Sequence, residues 1–347
     1  MREDTKIINI GGVKIGGKNK IAIQSMTNKK NIYAIIKQIQ SLEENGCELI
    51  RCAIPNLEFT KFIKKIKSKI KIPLIADIHF DYRIALESIK NGADKIRLNP
   101  GNINSQEKLK EIINLAKDFK VPIRIGVNAG SLDKNILKKY NNKITSDALV
   151  ESAINYINFF NLNNFDNIIL SVKSSNVLTT IDAYKKLSIK TNYPMHVGIT
   201  EAGISVVKSC VGIGTILYNK IGNTIRVSLT GNPLEEIKTA REILSSLELR
   251  KFGVEIISCP TCARTNGNLL KIVKDIKFAC KNINKNIKIA VMGCEVNGPG
   301  EARDADIGVA CSKNGAVIFK NKKIIKKINF IEITSYVLEE IENYNQN

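Results

Sequence analysis

With 44% hydrophobic and 25% charged residues, the 347-residue chain has a globular balance and enough length for one large core or two ordinary ones. No apolar stretch reaches the roughly 18 residues of a membrane span, and the opening MREDTKIINIGG lacks the apolar run of an export signal, so a soluble cytoplasmic protein is expected. The net charge of +20 suggests nucleic acid, but 43 of the 53 basic residues are Lys spread over helical segments and no basic run interleaves with stacking rings, so anionic small molecules or acidic proteins are the expected partners instead.

Lys6 to Gly17 alternates apolar and polar residues around Gly11-Gly12 and predicts a small hairpin. Eight short apolar runs follow, each ending in polar residues and each trailed by a helical stretch: 21–27, 48–54, 73–79, 95–100, 122–128, 167–173, 194–200 and 224–230. Between the first two, Ile35, Ile36, Ile39 and Leu42 share one helical face. One longer connection, Ser131 to Lys143, must loop out. Eight βα units in about 250 residues predict a (β/α)8 barrel. A doubly wound open sheet is the rival, but polar residues gather at the carboxyl ends of all eight strands, as barrel chemistry requires. From Lys251 the pattern changes to GVEIIS, a CPTC turn, a helix over Asn268 to Asn282, IKIAVMG, the loop CEVNGPGE, two strands (IGVAC and AVIFK) and a final helix from Phe330. The expected class is therefore α/β: a TIM barrel over residues 1–250 and a smaller α+β domain over 251–347.

Arg51, Arg97, Arg124, Arg226 and Lys173 lie in or at the ends of apolar strands. One such Arg could pair with a helix outside the barrel. Five at equivalent positions, with only Asp77 and Glu201 as strand-end carboxylates, predict a mouth that takes a polyanion carrying two phosphates. Asp77, His79 and Glu201 are the candidate acid–base groups; Glu201 is the better proton donor, and Asp77 suits an Arg partner.

Eight cysteines with no export signal imply reduced thiols or metal rather than disulfides. Cys47, Cys52 and Cys210 read as core fillers, and Cys280 and Cys311 as packing. Cys259 and Cys262 form a CxxC, with Cys294 31 intervening residues further on, beside a Gly/Pro loop that offers Glu301. Three thiolates and a carboxylate suit an iron–sulfur cluster with one differently ligated iron better than a closed zinc site; zinc and unmetallated thiols stay open as alternatives. A pterin- or corrinoid-linked methyltransferase barrel with a zinc module and a basic RNA-associated protein are the competing functions.

Taken together, SCPTCAR (258–264), GCEVNGPGEARDADIGVA (293–310), RLNPGNI (97–103), IRIGVNAGSL (123–132), VKSSN (172–176), HVGITEAG (196–203) and RVSL (226–229) resemble the bacterial 4-hydroxy-3-methylbut-2-enyl diphosphate synthases over essentially the whole chain. The resemblance implies a second domain like the sulfite-reductase repeats. It also implies a [4Fe–4S] cluster on Cys259, Cys262 and Cys294, with Glu301 as exchangeable ligand and catalytic residue. The implied substrate is 2-C-methyl-D-erythritol 2,4-cyclodiphosphate, opened and dehydroxylated with two electrons from reduced flavodoxin or ferredoxin, a step of the methylerythritol phosphate route to isoprenoids. It assigns the diphosphate to Arg51, Arg97, Arg124, Lys173, Arg226 and Ser228. It gives the pocket to Asn99, Asn128, His196 and Asn297, with Asp77 and His79 also at the substrate and Glu201 as proton source. A homodimer with the active site shared between chains is implied too. The segment after TEAG is shorter than the family's usual one, and the large insertion of plant versions is missing.

Overall fold

The computed structural model describes residues 1–103, 105–200, 203–295, 305–320 and 323–344. The chain forms two compact units, Met1–Arg250 and Lys251–Asn347.

The first unit opens with the expected hairpin, β1 (Ile8–Ile10) against β2 (Val13–Ile15). Its two-residue turn places Gly11 at φ 51° and Gly12 at φ 97°, a pair of left-handed positions that glycine occupies without strain. Ile8, Ile10 and Ile15 pack on Ala22, Leu49, Ile75 and Ile169, which lie at or near the amino ends of their strands. The hairpin is thus an apolar floor, and the opposite end is left for chemistry.

All eight apolar runs contain strands: β3 (Ala22–Met26), β4 (Leu49–Ala53), β5 (Leu74–Asp77), β6 (Lys95–Leu98), β7 (Ile123–Asn128), β8 (Ile168–Lys173), β9 (His196–Val197) and β10 (Thr224–Ile225). They pair in parallel in the order β8-β7-β6-β5-β4-β3-β10-β9. A parallel bridge between Leu170 and Met195 joins β8 to the approach of β9, where the Leu170 N–H donates to the Pro194 carbonyl at 2.9 Å. The ends of the sheet therefore meet, and the barrel is preferred over the open sheet.

The connecting helices follow their sequence signals. Asn31 caps helix Ile32–Glu44 by accepting from the Tyr33 and Ala34 N–H groups, and Ile35, Ile36, Ile39 and Leu42 are its buried face. Each of those side chains contributes about 1.5–3 kcal/mol by leaving water. The long excursion after β7 contains a short helix, Lys134–Lys139, before helix Ser146–Leu162 starts at its Thr145 cap.

The second unit has a five-stranded sheet ordered β11 (Glu255–Ser258), β12 (Lys288–Met292), β13 (Ile307–Ser312), β14 (Gly315–Lys320) and β15 (Lys323–Ile328). The first three strands are parallel, and β13, β14 and β15 are antiparallel. Helices Leu269–Ala279 and Ile333–Glu342 cover one face through Ile276, Val291, Val309, Ile318 and Val337. One strand departs from expectation: β15, KIIKKI, stands where the sequence reading ran directly into the last helix. Three Lys mask its strand character, and they are tolerated because it is an edge strand exposed at five of six positions. Cys47, Cys52, Cys280 and Cys311 are buried, as expected of packing cysteines. Among the described residues no helix is long and apolar enough to cross a membrane.

Candidate active site

Parallel register builds the barrel mouth. Asp77 of β5 stands level with Arg97 of β6, and Arg97 with Arg124 of β7, so three charged side chains share one row. Arg97 Nη1 donates to Asp77 Oδ1 at 3.1 Å, and Arg51 Nε lies 3.5 Å from Oδ2. The Arg51 guanidinium also rests on the Met26 sulfur, at 2.8 Å from Nη2. Burial raises the Asp77 pKa, but Arg51, Arg97 and Arg124 outweigh it and hold the carboxyl below its ordinary value. Burial lowers Arg51 to about 10, with Arg226 and Arg97 adding to the effect and Asp77 opposing it. His79 Nε2 is 3.7 Å from Asp77 Oδ2, with its side chain 53% exposed.

Arg226, just beyond β10, pairs with Glu236 at 3.4 Å. Glu236 lies on helix Pro233–Ser246, where it also accepts from the Ser25 hydroxyl at 3.2 Å and the Leu229 N–H at 3.0 Å. Asp77 and Glu201 were the expected strand-end carboxylates; this third one was missed because it arrives on a helix. Arg124 is buried with Nε and Nη1 unpartnered, and Lys173 is buried beside it. Gly198 makes room there: a Cβ at that position would fall 2.8 Å from Lys173 Nζ. Burial, then Arg124 and Arg51, push the Lys173 ammonium well below its usual pKa.

His196 is wholly buried. Its Nδ1 lies 2.7 Å from Thr224 Oγ1, and its Nε2 has no hydrogen-bond partner. Burial, together with Arg124, Lys173 and Lys95, holds the imidazole well below its ordinary pKa, so it is neutral and suited to positioning rather than to donating a proton. Tyr184 donates to the His196 carbonyl at 2.6 Å and fixes that strand end. Asn99 is buried and accepts from the Gly101 N–H at 3.2 Å. Asn128 stands level with Lys173 across β7 and β8, and Ser228 is half-buried two residues beyond Arg226. Sequence reasoning also passed over Lys95, a wholly buried lysine that opens β6. Among the described residues, Arg51, Lys95, Arg97, Arg124, Lys173 and Arg226 converge on one barrel interior that offers them Asp77 and Glu236. Such a surplus of Arg and Lys is chemically matched to phosphate oxygens.

In the second unit, Cys259 follows β11 and Cys294 follows β12, neighbouring parallel strands in which Ser258 stands level with Val291. The Gly293 N–H donates to Cys259 Sγ at 3.1 Å. The turn carrying Cys262 folds back on the same spot: the Cys262 N–H donates to Thr265 Oγ1 at 2.9 Å, and the Asn266 N–H donates to the Gly293 carbonyl at 2.7 Å. Burial pushes the Cys311 thiol up to about 11, and the nearby Cys259 and Cys294 add to this. Among the described residues no three His, Cys, Asp or Glu side chains are already closed around a metal position. The chemistry of the donor set still fits an iron–sulfur cluster: thiols at the ends of adjacent strands, one accepting a backbone N–H as cluster sulfurs do, in a turn whose Cys262 is exposed. Glu201, Asn297 and Glu301 lie outside the described residues.

Comparison with known proteins agrees with this architecture. A chain from Xanthomonas albilineans, dihydropteroate synthase in complex with indole-2-carboxylic acid and 6-chloroguanine, aligns with TM-score 0.51 at 11% identity, covering 70% of this chain and 98% of its own, a likeness of fold alone. The 4-hydroxy-3-methylbut-2-en-1-yl diphosphate synthase (flavodoxin) of Clostridium tetani is 51% identical over 347 residues, 99% of each chain. The protein of the same name from Caldicellulosiruptor saccharolyticus is 52% identical over 342 residues, covering 97% of this chain and 98% of its own. Residues 5–241 match the GcpE TIM-barrel domain and residues 255–343 the GcpE protein C-terminal domain; the chain belongs to the GcpE family.

Proposed function

We propose that the chain is the oxidoreductase for which its relatives are named, opening 2-C-methyl-D-erythritol 2,4-cyclodiphosphate reductively and dehydroxylating it to 4-hydroxy-3-methylbut-2-enyl diphosphate. The observation that carries this reading is the barrel interior, where buried Arg and Lys side chains outnumber the described carboxylates and call for a polyanion.

Residues 1–250 bind substrate in this reading. Arg124 and Lys173 take diphosphate oxygens directly, since neither has a carboxylate within salt-bridge distance among the described residues. Asp77 holds Arg51 and Arg97 at the rim, and Glu236 does the same for Arg226, so these guanidinium groups are pre-oriented before substrate arrives. Ser228, Asn99 and Asn128 offer neutral hydrogen bonds around the carbon skeleton, and neutral His196 presents Nε2 to it. His79 lies at the rim. Glu201 supplies the proton that lets the hydroxyl leave as water, and Asn297 completes the pocket.

Residues 251–347 carry a [4Fe–4S] cluster held by Cys259, Cys262 and Cys294, with Glu301 as the exchangeable fourth ligand. When bound, the cluster supplies two electrons, one at a time, and a Lewis-acidic iron. The electron donor is a reduced flavodoxin, as the relatives' names specify, or a ferredoxin. The working assembly is a homodimer with the site shared between chains, in the cytoplasm. The test is turnover: protein reconstituted without air and supplied with reduced flavodoxin must convert the cyclodiphosphate to the allylic diphosphate. Reconstituted protein that binds the cyclodiphosphate but never releases that product would refute the reading.

A further inference from the structure

The barrel interior holds one basic group that the rim chemistry leaves unused. Lys95 is wholly buried, and its Nζ has no hydrogen-bond partner. It stands level with Ile75 of β5, and two residues further along the same strand Arg97 stands level with Asp77. Ile75 belongs to the apolar floor packed on the hairpin. The amine therefore has hydrocarbon on its amino-end side and the cationic rim on the other.

The charges around it leave no counterion for it among the described residues. Arg51 comes from β4 and Arg124 from β7, and His196 of β9 and Lys173 of β8 belong to the same electrostatic cluster. Asp77 is committed to Arg97 and Arg51, and Glu236 to Arg226. Gln24 of β3 is neutral, and its own amide is buried without a partner. Asp94, the residue before Lys95, is engaged elsewhere, by Lys67 at 2.7 Å and the Leu74 N–H at 2.9 Å. A protonated amine so placed bears the full cost of burial without a pair. In keeping with this, burial, then Arg124 and Arg51, push the Lys95 ammonium well below its usual pKa.

We propose that Lys95 stands uncharged in the empty barrel and takes up one proton when the cyclic diphosphate enters, acting as a positioning residue that adjusts the site's charge to its substrate. This rests on the diphosphate reading above. Anionic oxygens settling on Arg124 and Arg97 offset the positive charge that disfavours the ammonium at Lys95, and an opposite charge brought near favours the protonated amine. The linkage has a definite sign. Substrate prefers the protonated form, so affinity falls as pH rises through the range in which the free amine is neutral and the bound one charged, by up to about tenfold per pH unit.

The test is calorimetric titration of the cluster-reconstituted protein with the cyclodiphosphate, without electron donor, in two buffers of different ionisation enthalpy. The ring phosphates carry no proton that titrates near neutrality, so the protons counted belong to the protein. The native protein should take up a proton on binding, and Lys95→Met, which removes a buried, unpaired amine, should take up about one fewer; any share from Lys173 or His196 persists in the variant. Equal uptake by the two overturns the proposal, as does binding by the native protein with no uptake. Should Lys95→Met fail to fold, Lys95→Gln, which keeps the length and a polar end without a titratable amine, carries the same comparison: uptake equal to native overturns the proposal, and about one proton fewer supports it. No binding of the cyclodiphosphate to native protein overturns the diphosphate reading itself, an outcome distinct from binding without uptake.

Discussion

Asp77 and Arg97 face each other in register on β5 and β6, and their 3.1 Å contact is one half of a carboxylate bridge whose other half reaches Arg51 on β4. One buried carboxylate thus spaces two guanidinium groups from flanking strands, and the substrate rim inherits that spacing. Removing one member of a buried pair costs more than the pair contributes, because the partner's charge stays behind.

Asp77→Asn should therefore lower stability by about 3–5 kcal/mol at neutral pH and raise the substrate KM, read by urea unfolding and steady-state assay. The pH dependence has a fixed sign. Asp77 has a folded pKa below its reference of 3.8, so its contribution is complete above that value and is lost as pH falls through the folded one. Native protein should lose stability below about pH 4 more steeply than Asp77→Asn does.

Lys173→Ala should weaken substrate binding by about 10- to 100-fold, the worth of one charge-assisted hydrogen bond, and leave the cluster's absorption spectrum unchanged. Binding is measured without electron donor. Loss of the spectrum would instead mark Lys173 as structural.

Gly198→Ala probes the same ammonium from the other side. The added methyl would meet the Arg226 carbonyl at 2.7 Å and Lys173 Nζ at 2.8 Å, so backbone and lysine must both move. A stability loss of about 1–3 kcal/mol and weaker substrate affinity are expected, checked by thermal unfolding and calorimetry.

The cysteines divide into two groups. Replacing Cys259, Cys262 or Cys294 by Ser should abolish or destabilise the cluster, whereas Cys280→Ser and Cys47→Ser should keep it and cost only packing, since Cys280 is a core side chain at the end of helix Leu269–Ala279 and Cys47 is buried in the barrel unit. Iron content per chain separates the groups. Glu301→Ala should keep the cluster and lose most turnover; full activity in that variant would exclude its ligand role.

The barrel was legible in the sequence because eight apolar runs ending in polar residues report burial at one end of a strand and chemistry at the other. Even β9 and β10, two residues long in the sheet, were marked by PMHVGIT and TIRVSLT. Arg97, Arg124 and Lys173 stood out for the same reason: a cation within an apolar run has no ordinary place to go. Glu236 was hidden because a carboxylate on an amphipathic helix looks like a solvated one until the helix docks. Lys95 was hidden because a lysine opening a strand usually reaches water. The edge strand β15 was hidden by its own protective lysines.

The most direct test of the central claim is the metal content and absorption spectrum of the full chain reconstituted with iron and sulfide in the absence of air. The account predicts a brown protein with roughly four irons and four sulfides per chain, bleached when Cys294 is changed to Ser. Colourless protein carrying zinc and no iron would contradict it.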